Sequence, residues 1–228
     1  MINTLDRHVI GQFLRAQGVE AWGVAGNDPS LPGAPDLPRA LPILMSVRPA
    51  VVRGIRNGPT QEYCDEYDRL NTALNAATEA LADLLRERGC RAVALPATAE
   101  DASRAVADPG AFFSHKSAAT RAGLGWIGKT ALFVSSQFGP AVRLATVFTD
   151  LELPPGDPVT EGLCGACRAC VAACPAGCGR DVDWRAGMSR DDLFDAAACD
   201  RYMNANHTAF TRHICGICIA ACPLARKD

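Results

Sequence analysis

The sequence lacks any surplus of one charge: 23 Lys and Arg stand against 25 Asp and Glu in 228 residues, a formal net charge of −2. A chain so balanced has no global pull toward nucleic acid or an anionic membrane. It lacks any apolar run near the roughly 18 residues that a membrane-crossing helix requires. Its first residues, Met1-Ile2-Asn3-Thr4-Leu5-Asp6-Arg7-His8, show no basic stretch leading into an apolar block, so no secretory signal is read. A cytoplasmic location without membrane association is the expectation. Cysteine is scarce over the first 163 residues, where only Cys64 and Cys90 occur. Both sit in apolar contexts and read as small buried residues.

The last 65 residues reverse that scarcity, with nine of the 11 cysteines. A disulfide scaffold would be smaller, secreted and even-numbered. Crowded cysteines in a cytoplasmic chain point to metal instead. With 48% apolar residues, the composition is globular. The boundary falls at the Pro-rich stretch Leu153-Pro154-Pro155-Gly156-Asp157-Pro158. An α/β domain over 1–157 is expected to precede a small metal-bearing domain over 158–228.

Within the first domain, apolar spacing predicts a helix over 1–17 and a long one from about Thr60 to Arg88, striped by Tyr63, Tyr67, Leu70, Leu74, Ala77, Leu81 and Leu84. Strand-type runs occupy Glu20–Ala25, Leu41–Val47 and Arg91–Leu95. A short helix capped by Ser114 leads into a glycine-rich loop. Two further strands, Ala131–Ser136 and Val142–Thr149, are spaced as a hairpin.

Cys164-x2-Cys167-x2-Cys170-x3-Cys174-Pro175 has the spacing of a bacterial ferredoxin run, in which three close thiolates take one cluster and the fourth takes the other. Cys215-x2-Cys218-x3-Cys222-Pro223 echoes it without a first cysteine, because Arg212 stands there. Two [4Fe–4S] clusters need eight thiolates, and the runs supply four and three. Cys199 or Cys178 must complete the set. The crossed pattern gives Cys164, Cys167, Cys170 and Cys222 to one cluster, and Cys174, Cys215, Cys218 and the eighth cysteine to the other. Paired zinc sites would show two-cysteine units separated by longer spacers.

Gly123-Leu124-Gly125-Trp126-Ile127-Gly128-Lys129-Thr130 imitates both the dinucleotide fingerprint and the phosphate-binding loop. Both need a strand before and a helix after. Here the order is reversed, so nucleotide binding is not expected.

Ser114-His115-Lys116-Ser117-Ala118-Ala119, the Ala122-to-Lys129 loop and the two cysteine groups together resemble epoxyqueuosine reductase, and more closely its short double-cluster relatives. That family is related to reductive dehalogenases. The resemblance implies a nitroreductase-like α/β domain holding base-off cobalamin, followed by a ferredoxin-like domain with two [4Fe–4S] clusters that pass electrons to the corrinoid. It implies Cys199 as the eighth ligand. It carries Ser114, Lys116, Gly123, Leu124, Gly125, Trp126, Gly128 and Lys129 over as cofactor-binding candidates. A proton-donating aspartate precedes the family's loop; Asp108 lies one residue from the corresponding Pro109. His115, beside the implied pocket, is the second catalytic candidate, with a structural role as its alternative. The full-length enzymes continue into helical repeats that help hold tRNA, whereas this chain ends six residues after Cys222. A small-molecule substrate is therefore expected rather than tRNA, with a low-potential donor of ferredoxin or flavodoxin type. Two alternatives stay open: an eight-iron electron carrier that docks a partner oxidoreductase, and a flavin enzyme using the same pocket.

Overall fold

The computed structural model describes residues 5–98, 113–210 and 212–226. The chain divides into two compact units that are not sequential: residues 1–45, 70–124 and 143–158 form one, and residues 46–69, 125–142 and 159–228 the other. One of several crossings between them falls at 158/159, at the end of the Pro-rich stretch. The physical reason is visible in the cysteine-rich end, whose helices Ala169–Ala173 and Ala196–Asn206 bury no residue of their own. That end takes its apolar packing from segments made much earlier in the chain.

The first unit is built on a sheet. Helix α1 (Arg7–Ala16) starts where the Asp6 carboxylate accepts the Val9 N–H at 2.9 Å, and it buries Ile10 and Leu14. Strands β1 (Ala21–Trp22) and β2 (Ala25–Gly26) both pair antiparallel with β3 (Arg39–Ser46), in the registers Ala21↔Leu44 and Ala25↔Ala40. The β3 strand is apolar almost throughout, as a strand covered on both faces must be. Strand β4 (Ala92–Leu95) pairs antiparallel with β7 (Val142–Thr149), and the sheet order is β1-β3-β7-β4. Helix α3 (Gln61–Glu87) buries Leu74, Ala77, Leu81 and Leu85 in this unit. Helix α4 (His115–Arg121) adds Ala118 and Ala119. A cluster of Ala25, Leu37, Ala40, Phe113, Ala118, Ala122 and Phe148 closes one part of the core, with the Phe113 and Phe148 rings edge-on at 4.9 Å.

The second unit holds helix α2 (Pro49–Gly54) and the first turns of α3. The Glu66 carboxylate is buried there and accepts from Arg48 Nε at 3.1 Å and Arg69 Nε at 2.8 Å. Hydrogen bonding from Arg69 first, and from Arg48 after it, holds its pKa below the ordinary carboxylate range.

The expected hairpin does not form. Strand β6 (Phe133–Ser135) pairs with β5 (Gly125–Ile127), not with β7, in the register Trp126↔Val134. The cause is local. Ser135 exchanges backbone hydrogen bonds with Gly139, and its Oγ accepts from Gln137 N at 3.2 Å. The turn therefore closes on Ser135 itself and leaves no ladder for β7. Gly125 permits the β5–β6 pairing, because a Cβ there would collide with the Val134 carbonyl.

The cysteine runs make two matching pieces. Helix α5 (Ala169–Ala173) contains Cys170 and ends at Cys174. Helix α7 (Ile217–Ala221) contains Cys218 and ends at Cys222. Both terminal cysteines are extended, at φ −73°, ψ 114° and φ −69°, ψ 126°, as residues before proline prefer. The two short helices pack on each other. Between them in sequence lies helix α6 (Ala196–Asn206), whose first turn carries Cys199.

Candidate metal centre

Two groups of cysteines form within the second unit. Cys170 lies near Cys222, Cys164 and Cys167, and Cys222 near Cys164 and Cys167. Cys218 lies near Cys215, Cys170, Cys174 and Cys199. Burial first, and then the neighbouring thiols, pushes the Cys218 thiol up to about 12. Burial likewise raises Cys170, Cys199, Cys215 and Cys222. Such groups repel one another's ionised form, so only a strongly positive centre can hold them together as thiolates. Among the described residues, no three His, Cys, Asp or Glu side chains converge as a lone metal ion would have them.

The backbone explains the second group. The pre-proline geometry of Cys174 and Cys222 turns each off its helix end, away from the cysteine inside that helix. Asp195 N donates to the Cys178 carbonyl at 2.9 Å, while its side chain caps α6 by accepting from Ala198 N at 2.8 Å. This bolts Cys178 to the helix that carries Cys199. Cys178 is 1% exposed, and its thiol contacts both Cys174 and Cys199. Burial, with those two contacts, pushes its pKa up to about 12. Five sulfurs, those of Cys174, Cys178, Cys199, Cys215 and Cys218, therefore gather in this group.

The glycine loop lies at the first group. Trp126 Nε1–H donates toward Cys164 Sγ at 3.4 Å. Lys129 is 5% exposed; its Nζ donates to the Gly165 carbonyl at 2.7 Å and to Asp181 Oδ1 at 2.9 Å. Asp181 in turn takes Arg168 Nε at 2.6 Å, and these pairings stabilise its left-handed backbone at φ 59°. Hydrogen bonding to Asp181 raises the Lys129 pKa above its ordinary value, and Lys129 lowers that of Asp181. A cationic side chain so enclosed is spent inside the protein, clamping the loop between Cys164 and Cys167. Gly128 stands beside the same sulfur, where a Cβ would lie 3.8 Å from Cys164 Sγ. No helix begins at Lys129, which keeps the loop from acting as a phosphate cradle.

The remaining candidates divide. Gly123 and Leu124 belong to the first unit: a Cβ at Gly123 would meet the Asp157 carbonyl, and Leu124 packs on the Phe148 cluster. Ser114 occupies the N-cap position of α4 without a side-chain capping bond, and Lys116 is half-buried on that helix. His115 Nε2 lies 2.9 Å from the Pro96 carbonyl, which can only accept, so Nε2 carries the proton and Nδ1 accepts from Thr146 Oγ1 at 2.8 Å. Dense surroundings lower its pKa to about 4. Both ring nitrogens are thus engaged in holding α4 against β7 and the chain after β4. Asp108 lies outside the described residues. Arg212 pairs with Asp68 at 2.8 Å, and Arg180 donates to the Asp191 carbonyl at 2.7 Å. Thr130, which the sequence reading did not single out, contacts the Cys170 sulfur. Nothing in its local pattern signals this, because the contact depends on where the β5–β6 turn is placed.

No family model matches the chain. Curated relatives match over stretches of it. An epoxyqueuosine reductase of Listeria monocytogenes is 42% identical over 59 residues, 26% of this chain and 15% of the relative. One from Gloeobacter violaceus is 32% identical over 121 residues, 53% and 31% of the two chains. A tetrachloroethene reductive dehalogenase of Desulfitobacterium hafniense is 46% identical over 61 residues, 25% and 11%. The matched stretch is thus a third or less of each of these relatives. In fold, the whole chain superposes on 33% of a reductive dehalogenase described as B12-dependent, with a TM-score of 0.78 at 19% identity. An epoxyqueuosine reductase solved with a modified tRNA-Tyr stem loop gives 0.61 at 18% identity, over 96% of this chain and 65% of that one. The α/β fold is therefore that of these two kinds of reductase. Among the described residues, no helix is long and apolar enough to cross a membrane.

Proposed function

We propose that the chain is an iron–sulfur reductase of the epoxyqueuosine reductase-like type, combining a nitroreductase-like α/β part with a ferredoxin-like part that holds two [4Fe–4S] clusters. The observation that carries this is the gathering of the cysteines into two groups. Cys164, Cys167, Cys170 and Cys222 form one donor set, and Cys174, Cys199, Cys215 and Cys218 the other. Four thiols per group suit a cubane's four iron corners. Bound clusters of this kind accept and release single electrons at low potential. The protein's part is to hold the thiolates, to keep Lys129 clamped on the Cys164–Cys167 loop, and to take electrons from a donor of ferredoxin or flavodoxin type.

For the electron acceptor, similarity to a B12-dependent dehalogenase supports a corrinoid acting on a small molecule. In the glycine loop, a side chain at Gly123 or Gly125 would meet neighbouring backbone, and Trp126 and Lys129 contact Cys164 and the Gly165 carbonyl. That same observation favours a second reading, an eight-iron electron-transfer protein that docks a partner oxidoreductase.

Anaerobic reconstitution, followed by cob(II)alamin titration under EPR, tests both. Iron and acid-labile sulfide should each reach about eight per chain. Zinc without sulfide refutes the cluster reading. Loss of the cobalt axial-nitrogen hyperfine pattern, with tight binding, establishes base-off cobalamin. Intact clusters without cobalamin binding leave the electron carrier, or a flavin enzyme if denaturation releases a yellow chromophore.

A further inference from the structure

The two cysteine groups differ in their hydrogen-bond donors. In the first, the indole N–H of Trp126 points at Cys164 Sγ at 3.4 Å, and both Trp126 and Thr130 are under 10% exposed. The Thr130 hydroxyl reaches the Cys170 sulfur, and the backbone N–H groups of Leu224 and Ala225 reach Cys222. In the second, the donors are the Ile217 N–H at Cys215 and the thiol of Cys178. A hydrogen bond to a ligand sulfur favours the more electron-rich, reduced cluster and so raises its potential. Indole and hydroxyl are stronger donors than a thiol.

We propose that Trp126 and Thr130 are positioning residues that raise the reduction potential of a cluster held by Cys164, Cys167, Cys170 and Cys222. This rests on the double-cluster reading. The motif Gly123-Leu124-Gly125-Trp126-Ile127-Gly128-Lys129-Thr130 then has a role its look-alikes do not suggest. Gly125 lets β5 pair closely with β6, and the loop's two polar side chains act on the cysteine sulfurs.

The test is an EPR-monitored redox titration of the reconstituted full chain, with Trp126→Phe and Thr130→Val. Wild-type protein should show two resolved midpoint potentials. Each substitution should move the higher one in the negative direction and leave the lower one in place, with the double substitution moving it further. Iron and sulfide per chain should stay at the wild-type level. Unmoved potentials, or equal movement of both, overturn the proposal. If Trp126→Phe sheds iron, Thr130→Val and incorporation of benzothienylalanine at position 126, which keeps the ring shape but lacks the N–H, decide the matter alone. Wild-type protein without acid-labile sulfide refutes the cluster reading itself and this proposal with it.

Discussion

The two units of this molecule are held together by different means. The first is an ordinary apolar core: Leu41, Ile43, Leu44, Val147 and Phe148 are essentially inaccessible, and helices cover them. The second has helices that bury little. Its apolar residues, among them Val51, Val52, Ile55, Phe133 and Val134, are buried too, but clamps such as Lys129 on Gly165 and Asp181 and a buried Glu66 between two arginines are added to them. A core is stable by area removed from water. A set of crowded cysteines rests as neutral thiols, and only a positive centre holds it as thiolates. If the proposed clusters are bound, one chain contains a part that folds unaided and a part whose folding is completed by chemistry.

The comparison breaks most sharply on iron removal. Anaerobic chelation of reconstituted protein should open residues 159–226 to hydrogen exchange and proteolysis while β3 and β7 stay protected. Equal loss of protection in both units would refute the contrast. A smaller effect separates the two candidates for the eighth thiolate. Cys199→Ala should lose about half the iron and sulfide, one cluster of two. Cys178→Ala should keep both. The reverse pattern would give the ligand role to Cys178. The smallest effect lies in the apolar unit and concerns pH. His115 has its pKa lowered from 6.5 to about 4 by burial, so the folded state holds its proton more weakly than the unfolded chain does. Its contribution is intact above pH 6.5, falls as the pH drops toward about 4, and changes no further below. In His115→Gln, the difference from wild type in the thermal midpoint of the sheet unit should therefore shrink across that window. A constant difference would place the acid sensitivity elsewhere.

Much of the apolar unit was legible in sequence because its signals are local. The stripe of α3 and the apolar run of β3 each follow from near neighbours, and α3 matches its expected span within a residue or two. In the cysteine-rich unit, only the short runs were legible. Each Cys-Pro fixes an extended exit, whatever surrounds it. The partner of β6 was not legible, since Ser135 and Gly139 close a turn that strand spacing cannot distinguish from a longer hairpin. The role of Lys129 was equally hidden. A lysine after Gly128 reads as an anion contact until Asp181, far along the chain, is seen to take it.

The interleaving of the second unit has a consequence for synthesis. Gly139 packs against Leu224, and Gly216 against Ile55 and Tyr63, so its earliest segments find their neighbours only when segments much later in the chain are made. At about 5–20 residues per second, the stretch from position 46 onward waits on the order of ten seconds or more on the ribosome with Ile55 and Tyr63 uncovered. In the cell this unit is a late product, exposed to chaperones and proteases for the length of translation.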